Sequence, residues 1–526
     1  MVVRDDDPMM LHLRDTMTRR VEPVEPLEPG RVRMYTCGPT VYRFAHVGNL
    51  RSFLLADLIR RVLLYHGLEV FQVKNVTDVG HLRDEGFDRG QDPMLVQAGL
   101  ESKSVEEIAA AYEAAFHADE AAVNILPAHV FPRATEHIEE MVRLAEALED
   151  AGHAYATAEG NVYYAVSTFP GYGRLSGNSL GDLRAGHRGD VEPDKHDPAD
   201  FALWKRAGEG RVLKWPTRRW GDGFPGWHLE CSAMAMRYLG PQFDIHTGGI
   251  DNVFPHHEDE IAQSAPIGGA VPSRRWVHGE FLLSGGRKMS KSAGNFQRIT
   301  ELVEEGIDPL AFRYLTLTSK YGRKLEYSDR SLTAASAALE SLRSRLRALG
   351  EPPADGPWTA PTPLEAGSAG ERPVGVAEGA AGHGDGAGYL PLDRAGSPVA
   401  PLSPAGRDLH DRFVRAIDGD LDMPGALALV REMLRAKLPP DERRWLILDA
   451  DLVLGLDLHR VWEASAVDAI ARVPDSISEL VAARTVARLA RDFARSDAIR
   501  DELAKLGWDV IDEPDGSRVQ PRVAPR

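Results

Sequence analysis

The chain has 526 residues, 43% of them hydrophobic and 27% charged. This ordinary globular balance provides material for more than one core and about three or four domains. No stretch approaches the ~20 uninterrupted apolar residues of a membrane span, and the acidic N-terminus lacks the apolar core of a secretory signal. Two cysteines cannot build a disulfide framework, so a reducing cytoplasm is the expected compartment, and a net charge of −17 excludes bulk nucleic-acid affinity, leaving only local basic patches for such contacts.

The first half alternates β-rich runs with helical patterns. RVRMYTC reads as a strand, NLRSFLLADLIRRVLLYHG as an amphipathic helix closed by Gly67, and LEVFQVKNVTD as a second strand. Two strong helices follow, SVEEIAAAYEAAFHADEAAV, which opens on a Ser-x-x-Glu capping box, and TEHIEEMVRLAEALEDAG. Strand, helix, strand in this order predicts a parallel, doubly wound α/β layer. Residues 154–220, rich in Gly, Asp and aromatics, read as an inserted β-containing subdomain. FDIHTGGID reads as a further strand, and a helix is expected just after Pro255. Residues 300–350 are mostly helical in pattern. Residues 351–405, dominated by Gly, Ala and Pro, read as a disordered linker or insertion that cannot bury enough surface to offset its ordering entropy. A helical domain over 406–474 and a small module over 475–526 complete the chain.

Several residues stand out chemically. Cys37 ends the first strand, Cys231 is the only other thiol, and His256 and Glu260 are four apart, a spacing that puts them on one helix face. All four are competent zinc ligands. Two buried free cysteines and a solvated acidic helix start fit the same spacing, and HHEDE lacks the second histidine of a metalloprotease motif. His46-Val-Gly48-Asn49 opens a helix after a strand, where backbone N–H groups attract phosphate. The lysines of KMSKS, Lys288 and Lys291, lie in a Gly-rich stretch suited to neutralising a polyphosphate; read alone, it is equally a solvated basic loop.

In combination and in this order, CGPTVYRFAHVGN, KNVTD, DFALWK, PGWHLECSAM, FDIHTGGID, FPHHEDEIAQS, KMSKSAGN and DLDMPGAL resemble the cysteinyl-tRNA synthetases, class I aminoacyl-tRNA synthetases. The resemblance runs nearly end to end apart from 351–405. It implies a Rossmann-like catalytic domain in two halves, 1–153 and 221–299, split by the insertion at 154–220. A stem-contact helical region at 300–350, an anticodon-binding helical domain at 406–474 and a tRNA-contacting module at 475–526 would follow.

The resemblance also assigns roles. Cys37, Cys231, His256 and Glu260 would hold one zinc ion, which binds the substrate thiolate. Gly38, Thr77 and Trp227 would line the cysteine pocket. His46, Gly48, Asn49, Gly249, Asp251 and Lys291 would contact ATP, which brings Mg²⁺. His46, Asn49, Lys288 and Lys291 would stabilise transfer to the adenylate, with no side chain needed as nucleophile. The expected partners are L-cysteine, ATP and tRNA(Cys), for a monomer with no membrane association. The family signature ends in histidine where this chain has Asn49, which hydrogen-bonds but carries no charge.

Two rivals remain at the sequence level. One is a relative that joins cysteine to an amino sugar on the same adenylating core; the other is a non-catalytic synthetase paralogue. Arg484, Arg488, Arg491 and Arg495 recur at helical spacing and are candidate tRNA contacts, although such a stripe is usually a solvated face.

Overall fold

The computed structural model describes residues 10–79, 104–179, 194–208, 211–289, 296–364, 400–463, 480–481, 483–484, 487–488, 492–505, 508–513 and 516–521. In chain order the strands and helices are β1 (His12–Arg14), β2 (Val21–Pro23), β3 (Arg31–Thr36), α1 (Val47–Tyr65), β4 (Glu69–Lys74), α2 (Val105–Ala122) and α3 (Ile138–Asp150). Then come β5 (Ala154–Ala156), β6 (Val162–Tyr164), β7 (Phe201–Arg206), β8 (Trp215–Thr217), β9 (Gly221–Pro225), α4 (Trp227–Leu239), β10 (Phe243–Gly249), α5 (Glu258–Gly268) and β11 (Ser273–Gly279). The remainder are β12 (Leu282–Ser284), β13 (Arg287–Lys288), α6 (Ile299–Glu304), α7 (Pro309–Leu317), β14 (Leu325–Tyr327), α8 (Asp329–Arg347), α9 (Pro404–Asp418), α10 (Met423–Arg435), α11 (Pro440–Leu454), α12 (Phe493–Lys505), β15 (Trp508–Glu513) and β16 (Gly516–Pro521).

The central sheet has the order β11-β10-β3-β4, and all its pairings are parallel. The chain leaves β3 through α1 to reach β4 on one side. It leaves β10 through α5 to reach β11 on the other. The winding therefore reverses between β3 and β10, and in open α/β sheets the crevice beyond the strand ends at such a reversal is where ligands bind. Thr36, the last residue of β3, pairs with Thr247, two residues before the end of β10.

Between α3 and α4 a separate antiparallel sheet, β5-β6-β7-β9-β8, runs to Pro225, five residues beyond the stretch read from composition. The chain divides into two compact units, Met1–His459 and Arg460–Arg526, so the division precedes the boundary read at 475. The second unit contains α12 and the β15–β16 hairpin. Most of the linker read at 351–405 lies outside the described residues.

Helix α1 departs from the amphipathic pattern read in its sequence. Only Gly48, Asn49, Ser52 and Leu64 in it escape burial, because the sheet packs on one side and α11 on another. Its charged residues survive there by pairing. Asp57 Oδ2 accepts from Arg61 at 2.8 Å and from Arg313 of α7 at 2.7 Å, and Arg61 also donates to the Leu452 carbonyl. Burial alone would raise the Asp57 pKa, but the two guanidinium groups outweigh it and hold the carboxylate below its usual range.

Candidate active site and metal centre

The crevice at the winding reversal gathers chemistry from both strands. Cys37 follows β3 directly, and its backbone N–H donates to the Thr247 carbonyl at 3.3 Å. Cys231 sits on α4, while His256 lies on a π-helical turn over Val253–His257 that precedes α5. The helix expected just after Pro255 begins in that turn and passes into α5 at Glu258, while Phe254, just before Pro255, adopts extended dihedrals (φ −143°, ψ 133°). His256 and Glu260 still meet, with Nε2 3.1 Å from Oε1.

One ligand atom from each of Cys37, Cys231, His256 and Glu260 lies within 4.8 Å of all the others. A second set, Cys37, His246, His257 and Glu260, converges equally closely. His246 Nε2 is 2.9 Å from Glu260 Oε2, and His257 Nε2 is 3.1 Å from Cys37 Sγ. Burial, with Cys231 and Glu260 nearby, pushes the Cys37 thiol well up. For Cys231 the hydrogen bond with Cys37 pulls downward, but burial and the acidic neighbours Glu260 and Glu230 leave the thiol raised. Burial also pushes the Asp259 carboxyl well up, against a hydrogen bond from Tyr172. Soft sulfur, borderline imidazole and one carboxylate in a buried cluster are the donor chemistry of a zinc site, and a divalent cation reverses the upward thiol shifts.

Helix α1 opens at the turn expected from its sequence to bind nucleotide. His46 is its N-cap: the ring Nδ1 accepts from Asn49 N–H at 3.3 Å, and Asn49 Oδ1 accepts from His46 N–H at 3.2 Å. This reciprocal pair is a capping box, with an imidazole and an amide in place of the usual hydroxyl and carboxylate. Burial, then Arg43 and Lys288, lower the His46 pKa to about 4, so the ring is neutral. With Nδ1 used as acceptor, Nε2 carries the hydrogen. A Cβ on Gly48 would stand 2.8 Å from two His46 ring atoms, so only glycine leaves the ring in place. Phe296 meets the same ring edge-on at 5.3 Å, and Gln297 O accepts from Val47 N–H at 3.0 Å.

The other sequence-derived residues surround these two groups. Gly38 N–H donates to Asn75 Oδ1 at 2.8 Å, and a Cβ there would lie 1.7 Å from the Asn75 carbonyl oxygen. Thr77 is buried and donates to Glu230 Oε2 at 2.8 Å. Trp227, the first residue of α4, is 41% exposed with its ring 4.7 Å from that of His256. Gly249 ends β10, and two residues on Asp251 pairs with Lys288 at 2.9 Å. Lys291 lies outside the described residues.

The family model described as tRNA synthetases class I (C) catalytic domain matches residues 23–337. Cysteine–tRNA ligase 1 of Burkholderia lata is 39% identical over 514 residues, 97% of each chain. The chain belongs to the cysteine–tRNA ligase family. The Zymomonas mobilis cysteine–tRNA ligase is 38% identical and covers 95% of each chain. Among solved structures, methionyl-tRNA synthetase of Mycobacterium tuberculosis with methionyl-adenylate superposes at a TM-score of 0.50 and 14% identity, over 83% of this chain and 92% of that one. The LeuRS–tRNA–LeuAMS complex of Agrobacterium radiobacter gives 0.52 at 10%, over 84% and 86%. At these identities the structures report the shared fold: a class I synthetase catalytic domain with helices behind it.

The arginine stripe divides. Arg488 and Arg495 are exposed, Arg484 is buried and so shares no open face with them, and Arg491 lies outside the described residues. Sequence reading missed His246, His257, His228 and Asp259 around the donor cluster. The signal was present in the repeated His of FDIHTGGID, GWHLEC and FPHHEDE, which all reach one end of the sheet.

Proposed function

We propose that this cysteine–tRNA ligase family member selects L-cysteine with one zinc ion held by Cys37, Cys231, His256 and Glu260, activates it with ATP and Mg²⁺, and transfers it to the terminal adenosine of tRNA(Cys). The observation that supports this reading best is the joining of two functions on one connection. Cys37 directly follows β3 and His46 caps α1 nine residues later, so the thiol-selecting cluster and the nucleotide turn share the crevice at the winding reversal. Of the two donor sets, we assign the one with both thiols, because sulfur-rich sites favour zinc.

When bound, the metal supplies a soft Lewis acid that takes the substrate thiolate and discriminates against a hydroxyl. The other tasks fall to this chain's residues. Gly38, Thr77 and Trp227 shape the amino-acid pocket. The neutral His46 ring donates from Nε2 toward the phosphates, the N-terminal end of α1 adds its partial positive charge, and Asn49 keeps the ring aligned. Gly249 allows close approach to the nucleotide, and Asp251 binds its ribose. Lys288 and Lys291 neutralise the charge that develops as pyrophosphate leaves. The Asp251–Lys288 pair is about half exposed on both sides, so exchanging it for substrate contacts costs little.

The helices over 300–350 and 406–474 contact the tRNA stem and anticodon, and the terminal unit adds a further contact through residues including Arg488 and Arg495. We propose a cytoplasmic monomer; among the described residues no helix is long and apolar enough to cross a membrane. The test is cysteine-dependent exchange of pyrophosphate into ATP, followed by charging of total tRNA compared with amino-sugar acceptors. Exchange without tRNA charging, but with ligation to an amino sugar, would overturn the assignment of the acceptor.

A further inference from the structure

Two chains of hydrogen-bonded side chains run outward from the donor cluster. In the first, His256 Nδ1 lies 2.8 Å from His228 Nδ1, and His228 Nε2 lies 3.3 Å from Asp259 Oδ2. The other Asp259 oxygen accepts from the Tyr172 hydroxyl. In the second, His257 Nδ1 lies 2.7 Å from His278 Nε2, and His278 Nδ1 lies 2.7 Å from Thr16 Oγ1.

The chains differ in what they fix. A hydroxyl donates or accepts, so Thr16 imposes no direction on the second chain. The first ends on Asp259, where a carboxyl oxygen accepts from a ring N–H whether or not the group is ionised. Read outward from a cation held by His256 Nε2, every step of the first chain is determined. His256 then carries its hydrogen on Nδ1, where it needs an acceptor. His228 Nδ1 is that acceptor, so the neutral His228 ring carries its own hydrogen on Nε2. That hydrogen meets Asp259 Oδ2. In the opposite arrangement, with His228 donating from Nδ1, His256 is left with hydrogen on Nε2 and cannot ligate.

We infer that His228 is a positioning residue for the metal centre: it accepts from His256 Nδ1, fixes the tautomer that frees Nε2 for the metal, and is itself oriented by Asp259 and Tyr172. The inference rests on the proposed Cys37, Cys231, His256 and Glu260 ligand set and extends it by one layer. His228 is well placed for the task. It occupies the second position of α4, directly after Trp227, and its side chain is only 13% exposed. The same helix carries Cys231, so one rigid element supplies both a ligand and the orienter of another. Outer-layer partners of this kind are worth about 10–100-fold in metal affinity.

The test uses the full chain and reads the metal rather than catalysis. Zinc affinity is measured by competition with a chromophoric chelator, and the cobalt(II) form is examined by electronic absorption. His228→Leu removes the acceptor. His228→Asn retains one, since the Asn oxygen reaches the place of Nδ1. The expected result is about 10–100-fold weaker zinc binding and shifted cobalt d–d bands for His228→Leu, with His228→Asn within a few fold of the parent and near its spectrum. Should His228→Leu fail to fold, His228→Phe takes its place, a ring without an acceptor. Parent-like affinity and spectrum in the acceptor-less variant overturn the inference. So does a His228→Asn variant as weak as His228→Leu, which would assign the effect to ring bulk. A parent protein that binds no zinc, or one whose affinity survives Cys231→Ser, overturns the underlying ligand set instead.

Discussion

His46 and Asn49 hold each other: the ring of one accepts from the backbone of the other, and the amide of the second accepts from the backbone of the first, at 3.3 and 3.2 Å. Asparagine in place of the family's usual histidine therefore has a structural role here. Asn49→Ala removes one bond of the pair and is expected to lower stability by about 0.5–1.5 kcal/mol. It should also slow adenylation by freeing the ring. Urea denaturation together with pyrophosphate exchange checks both effects; unchanged exchange would show that the cap does not orient the ring.

Gly48→Ala brings a methyl group against the same ring. The expected outcome is a loss of about 10²-fold in adenylation rate, the scale of a small misplacement at a reacting centre. Cysteine binding should change far less, so kcat rather than KM carries the effect.

The neutral state of His46 has its own signature. Its folded pKa is lowered to about 4, against ~6.5 for an unfolded histidine. Between those values the unfolded chain binds more protons, so this group makes stability fall as pH drops through the window. In histidine NMR titrations of the ATP-free protein, one ring signal absent from His46→Asn should stay neutral until about pH 4. A midpoint near 6.5 would contradict the assignment.

Asp57 works with the opposite sign. Its folded pKa is held below the usual carboxylate range by Arg61 and Arg313 despite burial. Its contribution is therefore complete above an unfolded value of ~3.9 and is lost as pH falls through the folded one. Asp57→Asn leaves buried guanidinium groups uncompensated and is expected to cost about 3–5 kcal/mol at neutral pH. The variant should also lose part of its acid sensitivity, which chemical denaturation at several pH values reads directly.

Metal selection of cysteine predicts discrimination against serine of about 10⁴–10⁵, since one apolar contact supplies only about 1–3 kcal/mol. Cys231→Ser should lose zinc and cysteine activation together, by metal analysis and pyrophosphate exchange. A metal-free protein that kept its preference would show that the pocket wall discriminates by itself.

Three of the four central strands were legible, in RVRMYTC, LEVFQVKNVTD and FDIHTGGID, each a residue or more longer than the strand it contains, because buried parallel strands read as short apolar runs; β11 was not read from its sequence, SRRWVHG, in which two arginines interrupt the apolar run. The position of the capping box in α2 was legible as well, from Ser104 and Glu107. Burial around α1 was not, because Arg60, Arg61 and Asp57 read as a polar face until Arg313, more than 250 residues on, supplies the partner. Arg484 misled for a similar reason: helical spacing places side chains on one face without saying whether another element covers it. The proposed zinc ligands were picked out as a set only through family resemblance, since they come from three separate segments. His228 escaped notice because its role depends on a neighbour of a ligand, and no periodicity reports such a contact.

Helix α1 also bears on how the molecule can be divided. At its far end Tyr65 donates to Asp449 at 2.6 Å, and His66 meets Asp418 at 2.7 Å. Arg313 binds the Leu454 carbonyl. The match to the family's catalytic domain ends at 337, yet the far end of α1, the helix that His46 caps, is held by α9 and α11, which lie beyond that border. A fragment cut at that border would carry bared arginines and an apolar flank where α11 had been. The catalytic portion is thus not a portable module, and the two pieces belong together as a split protein whose halves should recover soluble form when produced side by side.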